Sequence, residues 1–282
     1  QRTARGELMC DLGVVDTVKA RMLSRRSLFA ATAGAGAATA LGAGTAPVAR
    51  AATSGEVVDL THELSEDFPT FGGSPGIAYD KRFDFESDGY NLYSLTVNEH
   101  TGTHIDAPLH FSADGRSVAE IPVHRLVCPL CIVDIRAKAA EDRDAQVTPD
   151  DLRGWIGTHG PIPAGACVAM NSGWATKVDT LAFRGADSAR PGTLHFPGFH
   201  VEAAQMLLEE SEAAAIAVDT LSLDYGPSAD FATHYAWLPA GRYGIECVAG
   251  LDALPPSGAT LIVGAPKTRA GTGGPARLLA LA

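Results

Sequence analysis

The stretch His100-Thr101-Gly102-Thr103-His104-Ile105-Asp106-Ala107-Pro108-Leu109-His110 gathers three histidines and an aspartate into eleven residues. The alternation Tyr93, Leu95, Val97 delivers a strand into it, and Gly102 permits a sharp turn. Pro108 biases Ala107 away from helix, so His104 and Asp106 are expected on an extended piece, where positions two apart share a face. The turn then brings His100 back toward that face. Two neutral imidazoles and a carboxylate make the nitrogen and oxygen shell favoured by zinc, manganese or iron, with positions left open for water and substrate. His110, beyond the proline, is expected near such an ion without binding it. The alternative reading is a loop of ordinary hydrogen-bonded histidines.

Working outward, short apolar runs alternate with turn signals from Val57 onward. Strands are expected at Tyr93 to Val97, Val127 to Ile135, Ala166 to Met170, Ala214 to Val218, Thr260 to Gly264 and Arg277 to Leu281. The clearest helix is Val201 to Glu212, with Val201, Ala204, Leu207 and Leu208 at helical spacing, and a shorter one begins near Thr233. No internal repeat and no Pro/Gly/Ser-rich linker divides this region, so residues 52–282 read as one strand-rich α/β domain with one main helix. The loops Phe68 to Gly76 and Thr180 to Pro197, rich in Gly, Pro and aromatics, suit the walls of a site.

Residues 1–51 read as a leader region. Ser24-Arg25-Arg26-Ser27-Leu28-Phe29 followed by the Ala/Gly-rich run Ala30 to Ala46 and by Ala49-Arg50-Ala51 has the order of a cleavable twin-arginine signal. The expectation is export to the cell envelope or outside, with no membrane association once the leader is removed. Met22 is an alternative start that would account for the residues before it.

The leader holds seven basic and three acidic side chains, so its removal takes the formal charge from −11 to −15. That balance argues against nucleic acid or anionic membrane as partner and leaves a small-molecule substrate. Cys128, Cys131, Cys167 and Cys247 are too few for a disulfide scaffold. Cys128 and Cys131 have CxxC spacing, but on an extended chain they point to opposite faces, so packed thiols are expected rather than a redox or zinc pair.

Among competing enzyme signatures, HExxH is missing from the sequence and no phosphate-cradling glycine loop is supported. Asp219 and Asp224, in Asp-Thr-Leu-Ser-Leu-Asp, are expected to cap a loop. Phe68, Phe71, Tyr235 and Trp237 are candidates for an aromatic wall, with buried packing the alternative. His62, His124, His159, His195 and His200 are read as structural or surface residues.

The segment His100 to His110 resembles the HxGTHxDxPxH signature of the cyclase family, which includes bacterial kynurenine formamidases and isatin hydrolases. Val58-Asp59-Leu60-Thr61-His62-Glu63-Leu64 is similar to that family's opening strand. Phe196-Pro197-Gly198-Phe199 with Glu202-Ala203-Ala204 is similar to the start of its main helix, and Ala217 to Asp224 to its next strand and loop. Ala265-Pro266-Lys267 and Pro275-Ala276-Arg277 resemble its closing strands.

The resemblance implies a swivelling β/β/α fold, a homodimer or homotetramer, and one or two divalent ions, zinc or manganese. It implies that His100, His104 and Asp106 hold the first ion, that Asp106 bridges to a second held by His234 and Glu246, and that His110 is the acid/base. The implied activity is hydrolysis of a small linear or cyclic amide, an aryl formamide or an isatin-like ring. The alternatives are a lactone hydrolase or polyketide-cyclase type of enzyme, or an exported metal- or ligand-binding protein without turnover. The chain departs from the family at Phe68-Pro69-Thr70-Phe71-Gly72-Gly73-Ser74-Pro75, where relatives often carry tryptophan, so a different pocket shape is expected.

Overall fold

A computed structural model describes residues 55–282. The segment expected to be a twin-arginine leader, Met22 included, lies outside the described residues. Strands run β1 (Val57–Asp59), β2 (Ile77–Phe83), β3 (Leu92–Val97), β4 (His104–Asp106), β5 (Val127–Asp134), β6 (Gln146–Val147), β7 (Cys167–Asn171), β8 (Gly198–Phe199), β9 (Ala215–Val218), β10 (Tyr243–Glu246), β11 (Thr260–Gly264), β12 (Gly273–Pro275) and β13 (Arg277–Leu281). The helices are α1 (Phe85–Asp88), α2 (Arg136–Glu141), α3 (Pro149–His159), α4 (Val201–Glu210) and α5 (Ala232–Trp237).

Nine strands form one mixed sheet in the order β1-β13-β11-β5-β7-β9-β10-β4-β12. Its centre, from β5 through β7 and β9 to β10, is parallel, and the flanking pairs are antiparallel. Alternation along the central strands splits the core in two. Cys128, Leu130, Ile132, Cys167, Ala169, Ala215 and Ala217 pack on one face. Cys131, Val133, Val168, Met170, Ile216 and Val218 pack on the other, together with Leu152 and Trp155 of α3 and Ala203, Ala204 and Leu207 of α4. Cys128 and Cys131 therefore belong to opposite faces, both buried, and burial raises both thiol pKa values, that of Cys131 to about 12.

Each strand expected from the alternation is present, with ends shifted by a residue at most. The helix from Val201 stops at Glu210, where Ser211 turns extended. The strand-rich α/β class stands, but α3 is a second helix of similar length that periodicity did not reveal. Its signal is local: Thr148 caps Asp151 N–H, Asp151 returns a bond to Thr148 N–H at 2.7 Å, and Pro149 occupies the first turn.

Residues 79–95 form one compact unit, and residues 55–78 with 96–282 form another. β2 and β3 pair with each other as a separate two-stranded sheet. Tyr79 and Tyr93 meet edge-on within that hairpin.

Candidate metal centre

The site is built from the edge of the large sheet. In the antiparallel register of β4 and β10, His104 lies opposite Glu246 and Asp106 opposite Gly244. Directly opposed residues project to the same face, so the ladder itself brings the imidazole and the carboxylate together. Ile105 points the other way, into the core. His100 arrives through the turn at Gly102, whose φ of 63° lies in the left-handed region and whose missing side chain leaves room for Leu64. His234 is carried by α5. The preceding Phe231 has φ 51°, an unusual conformation for a side chain of that size.

Five of these groups converge. His100 Nδ1 lies 2.7 Å from Asp106 Oδ1, and His104 Nε2 lies 3.4 Å from the same oxygen and 3.3 Å from Glu246 Oε2. His234 Nε2 lies 3.2 Å from Glu246 Oε1 and 3.7 Å from Asp106 Oδ2. Asp106 is common to two clusters of potential ligand atoms, one with His104 and Glu246 and one with His100 and His110.

Each imidazole is tied off on its far side. His104 Nδ1 donates to the Gly102 carbonyl at 2.8 Å, and His234 Nδ1 donates to Asp224 Oδ2 at 2.6 Å. His100 Nε2 donates to Thr272 Oγ1 at 2.9 Å. In the neutral tautomers these bonds select, the remaining nitrogen of every ring presents a lone pair to carboxylate oxygens. Acceptor faces acceptor, so a proton or a cation has to stand between them. His104 Nε2 and Asp106 Oδ2 are buried without a hydrogen-bond partner among the described residues, a costly state for protein groups left to themselves.

The electrostatics carry the same message. Burial opposes a charge on His104, but the carboxylates of Asp106 and Glu246 outweigh it and lift its pKa to about 10. His234 is likewise driven well above the ordinary histidine value, burial being outweighed by Asp106, Asp224 and Glu246. Asp106 is held well below the usual carboxylate range, its burial outweighed by His104, His100 and His234. His110 behaves oppositely: burial, together with His100 and His234, pushes it down to about 4. Its ring stacks on that of His100 at 3.7 Å between centroids.

A cavity of about 410 Å³ opens onto these groups. His100, His104, His110, His234 and Glu246 line it, with Phe71, Phe111 and Phe231 as its aromatic wall. Of the four aromatics expected from sequence, only Phe71 takes that place. Phe68 packs against Phe183, Trp237 is fully buried and donates Nε1–H to the Tyr243 carbonyl, and Tyr235 meets Phe111 from outside the lining. Phe111 and Phe231 were missed, although Phe111 directly follows His110. The Pro69–Gly76 loop forms part of the wall, whereas the Thr180 to Pro197 loop contributes no lining residue. It acts indirectly, through Arg184, which donates to the carbonyls of Thr70 and Phe71.

Asp219 does what the sequence suggests, accepting Ser172 N–H, Ser172 Oγ–H and Trp174 N–H to hold the loop after β7. Asp224 caps a loop too, through the backbone N–H groups of Thr233 and His234. Its bond to the His234 ring is a function that sequence reading missed. His62, His124, His159, His195 and His200 do not line the cavity; His195 pairs with Asp144 at 2.7 Å and His200 caps α4.

The family model described as "Putative cyclase" matches residues 58–225. An isatin hydrolase of Roseibium aggregatum is 31% identical over 245 residues, which cover 80% of this chain and 91% of that protein. A kynurenine formamidase of Salinibacter ruber is 25% identical over 223 residues, 78% of this chain and 95% of that one. Among solved structures, isatin hydrolase A from Labrenzia aggregata bound to benzyl benzoate aligns with a TM-score of 0.74 and 34% identity, over 80% of this chain and 93% of that chain.

Proposed function

Because this chain belongs to the cyclase family, we propose that it is a metal-dependent amidohydrolase that opens a non-peptide C–N bond in a small, neutral, aromatic amide, linear or cyclic. The observation that carries this reading is the set of three imidazoles, each tied off at one nitrogen and facing carboxylates with the other. The donor set fits a divalent cation, zinc or manganese: His100, His104 and Asp106 would hold one ion, and Asp106, His234 and Glu246 a second. A cation bound there supplies Lewis acidity toward a carbonyl and lowers the pKa of water.

The chain's own residues account for the rest. His110 sits on the cavity wall, neutral at ordinary pH, and is placed to take up a proton and return it to the departing nitrogen. Phe71, Phe111 and Phe231 offer ring faces and edges to a planar substrate; Phe231 lies 6.0 Å from Phe71 and 5.7 Å from Phe111. The cavity is of a size for a one- or two-ring molecule. Among the described residues that line it, none is Lys or Arg, so no guanidinium or ammonium group there offers a charge-assisted bond to a substrate carboxylate. Neutral amides such as isatin or a formanilide fit this lining better than the amino acid N-formylkynurenine.

The experiment is metal analysis of purified protein followed by assays of the zinc- and manganese-loaded forms. Isatin, formanilide, N-formylkynurenine and an aryl lactone would be compared. The expected result is turnover of the neutral amides with a higher kcat/KM than of N-formylkynurenine. Loaded protein that hydrolyses no amide would refute the reading, and turnover of the lactone alone would move it to another reaction class.

A further inference from the structure

One polar path leads from the metal centre toward the far end of the chain. Thr272 Oγ1, which accepts the His100 Nε2–H, donates its own proton to Glu99 Oε2. Glu99 Oε2 also accepts Thr272 N–H at 3.0 Å. A carboxylate has no proton to offer, so the direction of both bonds is fixed: imidazole to hydroxyl to carboxylate. In the neutral ring His100 Nδ1 is thereby left as the lone-pair nitrogen that faces Asp106 Oδ1 at 2.7 Å.

We propose that Thr272 and Glu99 are positioning residues that set the tautomer and ring plane of His100 for the cation. The inference rests on the reading above, in which His100 is a ligand, and goes beyond it by assigning two residues that touch neither the cavity nor the carboxylates. His100 needs such support more than its neighbours, because its side chain is 23% exposed, against 3% for His104 and 4% for His234. Packing alone therefore restrains it least. The ring of His110 stacks on it, so a swing of His100 would also displace the proposed acid/base.

The segment that carries Thr272 is itself fixed. The Thr272 carbonyl accepts Ala107 N–H at 2.8 Å, and the Gly271 carbonyl accepts Val118 N–H at 2.9 Å. In β12, Gly273 lies opposite Asp106, and any Cβ there would fall 2.3 Å from the Ile105 carbonyl and 2.8 Å from His100 Cε1. The close approach that only glycine permits puts the neighbouring threonine hydroxyl within reach of the ring. Bonds of this kind to a ligating imidazole set its orientation and basicity.

The test compares Thr272→Val, which keeps the shape and removes the hydroxyl, with Thr272→Ser, which keeps the hydroxyl, and Glu99→Gln. Zinc affinity is measured by competition with a chromogenic chelator, and the visible spectrum of the cobalt-loaded protein is recorded in parallel. Thr272→Val is expected to weaken zinc binding about 10- to 100-fold and to alter the cobalt spectrum. Thr272→Ser is expected to stay within about threefold of the parent with an unchanged spectrum, and Glu99→Gln to fall between. Unchanged affinity in Thr272→Val and Glu99→Gln, or a loss in Thr272→Ser as large as in Thr272→Val, would overturn the relay. Failure of the parent protein to take up zinc or cobalt would instead overturn the ligand reading, and the relay with it.

Discussion

Asp224 holds His234 twice, accepting its backbone N–H at 3.1 Å and its ring Nδ1–H at 2.6 Å with the same carboxylate oxygen. The first bond fixes the start of α5 and the second fixes which ring nitrogen faces Asp106 and Glu246. Burial raises the pKa of Asp224, but bonds from His234 and Thr233 outweigh it and keep the carboxylate ionised. Replacing Asp224 by Ala is expected to weaken binding of the ion that His234 is proposed to hold about 10- to 100-fold. Chelator titration of the variant checks this, and Asp224→Glu with the same loss would show that reach matters as much as charge.

His110→Ala is expected to lower kcat about 10²- to 10⁴-fold while leaving metal content unchanged. The two readouts separate its possible roles, because its ring nitrogen lies within 4.8 Å of ligand atoms of His100 and Asp106. Loss of metal together with turnover would place His110 among the ligands.

Much of this centre was legible because it is local. The turn at Gly102, the extended residues before Pro108 and the two-residue spacing of His104 and Asp106 are all properties of one short stretch, and the structure places them as that stretch dictates. The same strand logic separates Cys128 from Cys131. Glu246 was out of reach of such reasoning, since its place opposite His104 is a matter of sheet register between distant strands. Thr272 meets Glu99 across 173 positions, and no local pattern encodes that meeting. α3 was missed for another reason: Gly154 and Gly157 dilute its apolar stripe, so its only strong mark is the capping box at Thr148.

Cation binding is expected to tighten as pH rises. With its pKa lifted to about 10, His104 carries a proton at neutral pH that an incoming ion must displace, and the raised value at His234 acts in the same direction. The sign follows: raising the pH removes the competitor, so apparent zinc affinity should grow by about tenfold per pH unit for each proton displaced. Calorimetry in buffers of different ionisation enthalpy would count those protons. A pH-independent affinity between about pH 6 and about pH 8 would contradict the charge state assigned to the site. Asp106→Ala, which removes the carboxylate common to both clusters, is expected to lose all bound metal, and unchanged stoichiometry would rule out the bridging role.

The aromatic wall depends on a residue outside it. Arg184 donates Nε–H to the Thr70 carbonyl at 3.1 Å and Nη2–H to the Phe71 carbonyl at 3.2 Å. Its guanidinium lies against Gly73, where a Cβ would come 2.9 Å from Cζ. These bonds fix the backbone from which Phe71 projects, a residue 41% exposed whose ring meets Phe196 edge-on at 6.3 Å and Phe231 tilted at 6.0 Å. Without Arg184 the Thr70 and Phe71 carbonyls lose these bonds, and the loop keeps its ring contacts and the internal bonds among Thr70, Gly73 and Ser74. Arg184→Ala should therefore loosen a surface that binds substrate and transition state alike, raising KM about 3- to 10-fold with kcat within about twofold. Arg184 touches no proposed ligand, so zinc content should not change. A fall in kcat at constant KM would mean instead that the loop acts on the reacting groups, and Phe71→Leu in the parent protein would then be expected to reproduce it.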